Sequence, residues 1–350
     1  MKLFQIGELC LLEQIRKRFE QHPPNILIGI GDDAAAIKPL NENLLITTDM
    51  MVEEVHFNLN FITPYQLGFK LVSVNVSDIY AMGGKPKFLF LNIAMNKNTD
   101  KKVLDYFLDG VDEAMKLYGL SLIGGDLSTS QIGMVFSATL VGSAKKSVKR
   151  SGAKVGDNIY VTGNLGDSAC GLKLLKKIKR PVPLENTKEL LAKNTEPLRS
   201  LLHDLRSALS ATELKWSDVE PLIRRHLAPI AREPRNFAKD ATSMIDISDG
   251  LLIDLSRICD ESKVGARIYT KNIPLSSELE RVSSYLGISP LALALSGGED
   301  YELLFTVPDS RKIKATYVGD ITESERVIVD ISGREQTFSA EGYQHFGIQR

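Results

Sequence analysis

An α/β fold, or its α+β variant, in two domains is the fold class this sequence predicts, on three observations. The chain has 350 residues, more than one hydrophobic core usually organises. Short β-branched or aliphatic runs alternate with helix-spaced segments, the pattern that builds a sheet flanked by helices. A polar, Gly-rich stretch, "KRSGAKVGDNIYVTG", interrupts the alternation near its middle and a new strand follows. The expected domains are 1–144 and 145–350, the second with a helical insertion at about 179–220.

The elements follow in order. "MKLFQIGELCLLEQIRKRFE" has signal-like apolarity, but Glu8 and Glu13 interrupt it and no small-residue cleavage site follows, so an amphipathic helix is expected. Residues 26–30 and 44–48 are short aliphatic runs, read as strands. "PYQLGFKLVSVNVSDIYA", 64–81, has helical spacing with Pro64 in its first turn. A strand at 88–94, a helix near 99–118 and strands at 120–123 and 132–142 complete the first half. The second half predicts strands at 158–162, 243–247, 264–269 and 302–307, with helices near 167–178, 250–261 and 289–295. Between them, 179–235 is the least strand-like region and reads as a helical insertion or lid.

Composition excludes several classes. Net charge is −1, so no global basic field invites nucleic acid. The basic run "KKIKRPVP" lacks interleaved aromatics and reads as a solvated face. The apolar runs fall short of a membrane span. Cys10, Cys170 and Cys259 are far apart in sequence and form no CxxC, which favours a reducing cytoplasm over a disulfide framework or zinc site.

The chemistry-bearing pattern is acid beside glycine. It occurs as Gly31-Asp32-Asp33, Gly124-Gly125-Asp126, Ser248-Asp249-Gly250 and Gly297-Gly298-Glu299-Asp300, each after an apolar run. One such pair is also a common turn; four recurrences point to ligand-binding strand ends. Asp49 follows "LLITT", and Asp78 shares an otherwise apolar helix with Asn75. A carboxylate on a buried helix face is costly unless paired or metal-bound; a surface acid at a helix end is the plainer alternative. Asp249 can be explained as a helix cap, but Asp246 cannot. If Asp33, Asp49, Asp78, Asp126, Asp246 and Asp249 converge, they form an anionic pocket that requires hard cations. All-oxygen ligation favours Mg²⁺ over zinc, with Thr47 and Thr48 adding oxygens beside Asp49. Several Mg²⁺ ions imply a polyphosphate ligand. No GxxxxGK[ST] and no kinase-type HRD or DFG set is present. Arg150 is a candidate to reach phosphate, or a surface arginine in a linker.

The motifs "GIGDDAAAI", "TTDMMVEEVHF", "SVNVSDIYAMGGKPKF", "IGGDLS", "RSGAKVGDNIYVTG", "GDSACGL", "MIDISDG" and "ALSGGEDYELLF" occur in that order. Together they resemble the thiamine-monophosphate kinase family, in the superfamily of aminoimidazole ribonucleotide synthetase. The likeness spans nearly the whole chain except about 179–220. It implies a two-domain aminoimidazole ribonucleotide synthetase-like fold and a homodimer formed through the N-terminal mixed sheet. It implies transfer of the γ-phosphoryl group of ATP to thiamine monophosphate, with several Mg²⁺ ions; a role for a monovalent cation is left open. By position, Asp33, Thr47, Thr48, Asp49, Asp78, Asp126, Asp246 and Asp249 match metal ligands. Gly125, Asp126, Arg150 and Ser248 match nucleotide contacts, and His56, Glu299 and Tyr343 match substrate contacts. The bland alternatives are a core-edge histidine, a turn acid and a packing aromatic. Two departures touch no ligand: Glu54 stands where a glycine is common, and Leu127 where a threonine is.

The acceptor is itself an ionised phosphate, so no strong general base is required and no catalytic side chain is assigned. Positioning and metal electrostatics carry an in-line transfer. Glu299 would contact the cationic ring portion of the substrate, and Tyr343 would stack on a ring. Competing classes are another ATP-dependent enzyme of the superfamily, a Mg²⁺-dependent phosphohydrolase and a non-catalytic nucleotide-binding protein.

Overall fold

The computed structural model describes residues 1–20, 24–30, 34–39, 41–182, 184, 196–311, 313–340 and 342–343, with 196–199 as backbone only. The chain forms two compact units, Met1–Ser147 and Val148–Arg350.

The first unit begins with α1 (Leu3–Ile6) and α2 (Glu8–Phe19), the latter the amphipathic helix expected from the sequence. The antiparallel pair β1 (Ile26–Ile28) and β2 (Ala36–Ile37) follows. A four-stranded sheet is built from β3 (Asn43–Val52), β4 (Lys85–Met95), β5 (Ser121–Thr129) and β6 (Val135–Ala144). Its order is β3-β6-β4-β5, with β4 and β5 parallel and the other pairs antiparallel, so the sheet is mixed.

Helices α3 (Pro64–Ala81) and α4 (Lys101–Tyr118) lie between β3 and β4 and between β4 and β5 in the chain. Thr63 starts α3 as an N-cap, its hydroxyl accepting from the Gln66 amide at 3.2 Å, and Pro64 occupies the first turn. Nearly every α3 residue is buried, as expected for a helix covered on both sides. The Phe107 ring of α4 stacks on Phe136 of β6 at 4.2 Å between centroids, which identifies the sheet face under the helices. On that face β3 presents Leu45, Thr47, Asp49 and Met51, since Asp49 pairs with Ala138 and Met51 with Phe136. The opposite face of β3 leaves Leu44, Ile46 and Met50 51%, 65% and 54% exposed.

Strand β5 corrects one expectation. Gly124-Gly125-Asp126 lies inside the strand, not beyond its end. Pairing with β4 continues through the glycines to Thr129. Gly125 makes this possible: its φ is +153°, and a Cβ there would overlap the Leu91 carbonyl oxygen.

The second unit holds a seven-stranded sheet of order β13-β12-β9-β11-β7-β10-β8. In chain order its elements are β7 (Asp157–Val161), α5 (Asp167–Ile178), α6 (Glu196–Leu209), α7 (Trp216–Leu227) and β8 (Ser243–Asp246). Then come α8 (Leu251–Ser262), β9 (Gly265–Tyr269), α9 (Ser277–Leu286), α10 (Pro290–Ser296) and β10 (Leu303–Pro308). The chain closes the sheet with β11 (Thr316–Thr322), β12 (Arg326–Val329) and β13 (Glu335–Thr337). Ile159, Val161, Ile268, Leu304 and Val318 face Leu252, Leu255 and Ile258 of α8 in one core.

The periodicity reading stops at residue 307, yet three strands follow. β12 is only partly buried and β13 exposed, so neither shows an apolar alternation. Among the described residues of 179–235 no strand occurs, in line with the helical reading; 185–195 lie outside them. α7 is no loose lid. Val219, Leu222, Ile223 and Leu227 are wholly buried.

Candidate functional site

Asp32 and Asp33 lie outside the described residues. Of the remaining candidates in the first unit, three meet beneath α3. The Thr47 hydroxyl donates to Asp78 Oδ2 at 2.5 Å. Asp49, two residues along the same strand face, has its carboxyl pushed up to about 7, first by burial and then by the negative charge of Asp78. One helical turn before Asp78, Asn75 is fully buried and gives its Nδ2 to the Leu71 carbonyl at 2.9 Å. Its Oδ1 has no partner among the described residues.

This cluster is frustrated as it stands. Two carboxylates share a part-buried site, and burial together with the charge of Asp78 pushes the Asp49 carboxyl up. The donors are all hard oxygens. They suit Mg²⁺, which commonly takes one or two carboxylates and completes its shell with water and phosphate oxygens. Among the described residues no group of three or more His, Cys, Asp or Glu side chains converges on one point.

Other first-unit candidates lie apart from this pair. Thr48 alternates to the opposite sheet face, where its hydroxyl donates to the Ala138 carbonyl at 3.0 Å and accepts from Thr139 Oγ1 at 3.1 Å. Its side chain therefore does not join Asp49. His56 caps the end of β3: its Nδ1 accepts from the Val52 amide at 3.0 Å. Asp126 is exposed, in register with Asn92.

In the second unit, the turn after β8 draws Ser248, Asp249, Glu299 and Tyr343 together, with Asp246 just before it. Asp246 is the last, buried residue of that strand. Ser248 and Asp249 follow in a turn held by a residue the sequence reading passed over, Asp254. Its Oδ2 accepts the amides of Ser248, Asp249 and Gly250, each at 3.1 Å. Burial, opposed by Arg257, pushes the Asp254 carboxyl up to about 6. Arg257 bridges Asp254 Oδ1 at 2.5 Å and Asp249 Oδ2 at 2.6 Å, so the charge of Asp249 is matched within this unit.

The glycine-rich loop 297–302 docks onto this turn. The Glu299 amide donates to the Ser248 carbonyl at 2.7 Å, and the Tyr301 amide to the Ile247 carbonyl at 2.9 Å. A Cβ on Gly298 would lie 2.6 Å from the Ser248 oxygen, so only glycine allows this approach. The half-exposed Tyr343 returns to the same place, its amide donating to the Asp249 carbonyl at 3.1 Å. Ser248, Asp249, Glu299 and Tyr343 are thus neighbours, although nearly a hundred residues separate the first from the last. Arg150 is not with them. Its carbonyl accepts from Ser262 Oγ at the far end of α8, roughly 18 Å along the helix from that turn.

Loop 297–302 carries two non-glycine residues in the left-handed region, Glu299 at φ +66° and Tyr301 at φ +50°. Between and after them, buried acids fasten the backbone. Asp300 accepts the amides of Gly166 at 2.6 Å and Ser168 at 3.1 Å. Burial drives its carboxyl up to about 7 against the pull of those two amides. Glu302 accepts from Thr162 Oγ1 at 2.6 Å and from Arg232 at 2.7 and 2.8 Å, and pairs with Arg225. Backbone strain held in place by so many partners is typical of functional loops.

Cys170 and Cys259 are buried, and burial pushes their thiols up to about 12 and about 11, so neither is a nucleophile at neutral pH.

With this geometry in place, comparison with known proteins is decisive on kinship. Residues 31–144 match the "AIR synthase related protein, N-terminal domain" family model, and 154–332 match "AIR synthase related protein, C-terminal domain". A thiamine-monophosphate kinase of Aquifex aeolicus (strain VF5) is 35% identical over 99% of this chain and 100% of its own length. The chain belongs to the thiamine-monophosphate kinase family. The family member of Escherichia coli (strain K12) is 34% identical over 97% of this chain and 98% of its own. A solved structure, "AaThiL complexed with AMPPCP and TMP", superposes with a TM-score of 0.72 at 33% identity, covering 99% of both chains. The two-domain fold of this thiamine-monophosphate kinase family member is therefore the AIR synthase-like one.

Proposed function

We propose that this protein phosphorylates thiamine monophosphate to thiamine diphosphate, with ATP as donor. The observation that carries the reading is likeness over the full length to kinases named for that reaction, joined by a relative solved with AMPPCP and TMP. A phosphohydrolase or a different enzyme of the superfamily is not favoured by these relatives.

The chemistry is in-line transfer. An oxygen of the acceptor phosphate forms the new bond to the γ-phosphorus, the bond to the β,γ-bridging oxygen breaks, and ADP leaves with that electron pair. The attacking oxygen is already ionised, so the residues act by holding and orienting rather than by proton removal. Mg²⁺, held by Asp49 and Asp78 with Thr47 beside them, would neutralise charge on donor and acceptor phosphates. Asp33, Asp126, Asp246, Asp249 and Thr48 are proposed as further metal ligands. Thr48 would serve through its carbonyl. Gly125, Asp126, Arg150 and Ser248 are read as nucleotide contacts, and His56, Glu299 and Tyr343 as contacts to the thiamine portion. The first unit is read as the ATP- and Mg²⁺-binding domain, and the cytoplasm as the compartment. No helix among the described residues is long and apolar enough to cross a membrane.

The test uses γ-labelled ATP, Mg²⁺ and thiamine monophosphate. Label is expected in thiamine diphosphate; label found only as free phosphate overturns the reading. Asp49→Asn removes charge with little change in volume, and is expected to lower kcat by about 10²- to 10³-fold without lowering the melting temperature of metal-free protein. Near-normal turnover would remove Asp49 from the metal site. A homodimer through the face of the first sheet opposite α3 and α4 is also proposed, supported by exposed Leu44, Ile46 and Met50 on one strand; Ile26 of β1 and Ile37 of β2 cover Phe88 and Val141 elsewhere on that face. Ile46→Lys should shift the protein to monomer in sedimentation; an unchanged mass would count against that face.

A further inference from the structure

Glu299 is gripped from two sides. Its left-handed backbone is tied to the Ser248 carbonyl at 2.7 Å. Its side chain, about a third exposed, meets a buried histidine: Glu299 Oε2 lies 3.0 Å from His226 Nδ1. His226 lies in the last turn of α7. The same Nδ1 lies 3.1 Å from Ser168 Oγ, and the Ser168 amide binds Asp300, the neighbour of Glu299. Nδ1 is shared between the Ser168 hydroxyl and the Glu299 carboxylate; because an ionised carboxylate can only accept, a hydrogen on Nδ1 is the arrangement that satisfies Glu299.

We propose that His226 is a positioning residue for Glu299, and through it for the amino-bearing, cationic ring portion of the acceptor. The inference rests on the reading of Glu299 as a substrate contact. A carboxylate offers about four acceptor sites, so one hydrogen bond from His226 fixes its direction without exhausting it. A flexible glutamate would have to be ordered by each substrate molecule, at a cost in affinity. Here the protein has already ordered it, from a helix that local sequence gives no reason to connect with the glycine-rich loop. The contact is made by the Glu299 side chain, whereas Ser248, read as a nucleotide contact, is held by the Glu299 backbone amide, so loss of the His226 contact should fall on the organic part of the acceptor and not on ATP.

The experiment compares His226→Asn with His226→Gln, both polar and compatible with a buried site. Asparagine places an amide NH₂ where Nδ1 stands; glutamine places it nearer Nε2. Glutamine is expected to raise KM for thiamine monophosphate about tenfold, the scale of one hydrogen bond to a charged group, with KM for ATP unchanged. Asparagine is expected to stay within about threefold of wild type, since it keeps a donor at the Nδ1 position. Combining His226→Gln with Glu299→Gln should add little beyond Glu299→Gln alone, because both act through one contact. A merely structural histidine predicts otherwise: equal loss in both variants, parallel changes in both KM values, or additive effects, and any of these overturns the proposal. If Glu299→Gln leaves KM for thiamine monophosphate unchanged, the substrate reading of Glu299 falls. If Glu299→Gln raises it and His226→Gln does not, only the positioning role falls.

Discussion

At the scale of single residues, Glu54 shows how a departure from a family pattern appears in the backbone. The family resemblance implies a glycine at its place, and here its φ is +64°, where a side chain is unfavourable. The Asn58 amide donates to the Glu54 carboxylate at 2.8 Å and partly compensates. Glu54→Gly is expected to be about 1 kcal/mol more stable than Glu54→Ala, since both lose the hydrogen bond and only alanine keeps the strain. Equal denaturation midpoints for the two variants would mean the turn is unstrained. Asp49 and Asp78 show the same limit of local reading from the other side. Each was legible as a misplaced acid in an apolar run, but the Thr47–Asp78 hydrogen bond that brings α3 to the Asp49 strand required β3 and α3 to pack. The strand period was enough to put Thr47 and Asp49 on one face and Thr48 on the other. That signal is present in "LLITTDMM" itself.

At the scale of elements, α3 and the first strands were readable because their apolar periods are long and regular. β5 was readable only to residue 123, since glycines carry no periodicity. Its continuation depends on β4, whose Leu91 carbonyl approaches Gly125 too closely for any side chain. Gly125→Ala is expected to destabilise the protein by more than about 2 kcal/mol, the cost of overpacking against backbone that cannot give way. Thermal unfolding tests this, and a loss under 0.5 kcal/mol or so, as at unconstrained surface sites, would show that the β4–β5 pairing is not fixed there. The turn after β8 is another property of elements. Its shape depends on Asp254, which reads in sequence as one more helix acid but takes three consecutive backbone amides.

At the scale of the whole molecule, buried acids set the pH response. Asp49, Asp254 and Asp300 have carboxyls pushed up to about 7, 6 and 7, with burial the largest cause in each. In an unfolded chain they would titrate near pH 4 or so. Between about pH 4 and pH 7 the folded protein therefore binds more protons than the unfolded chain, and stability falls as pH rises. The contribution is full below about pH 4 and lost as pH passes through the folded values. Metal-free protein is expected to unfold at lower denaturant at about pH 7.5 than at about pH 5; the reverse order would contradict the burial of these acids. Added Mg²⁺ should restore most of the share due to Asp49, because a bound cation favours its charged form.

The sequence by itself determined the alternation of strands and helices and the family. These rest on short-range periodicity, composition and long contiguous motifs, all of which survive without coordinates. Tertiary structure alone decided that Asp78 shares Thr47 with the Asp49 strand, that Arg150 sits a helix length from Asp249, and that Tyr343 returns to the Asp249 carbonyl. It alone brought His226 to Glu299. The physical reason is that each contact joins segments distant along the chain. Their meeting depends on which faces pack, how closely glycine lets backbones approach, and which buried groups must find a partner.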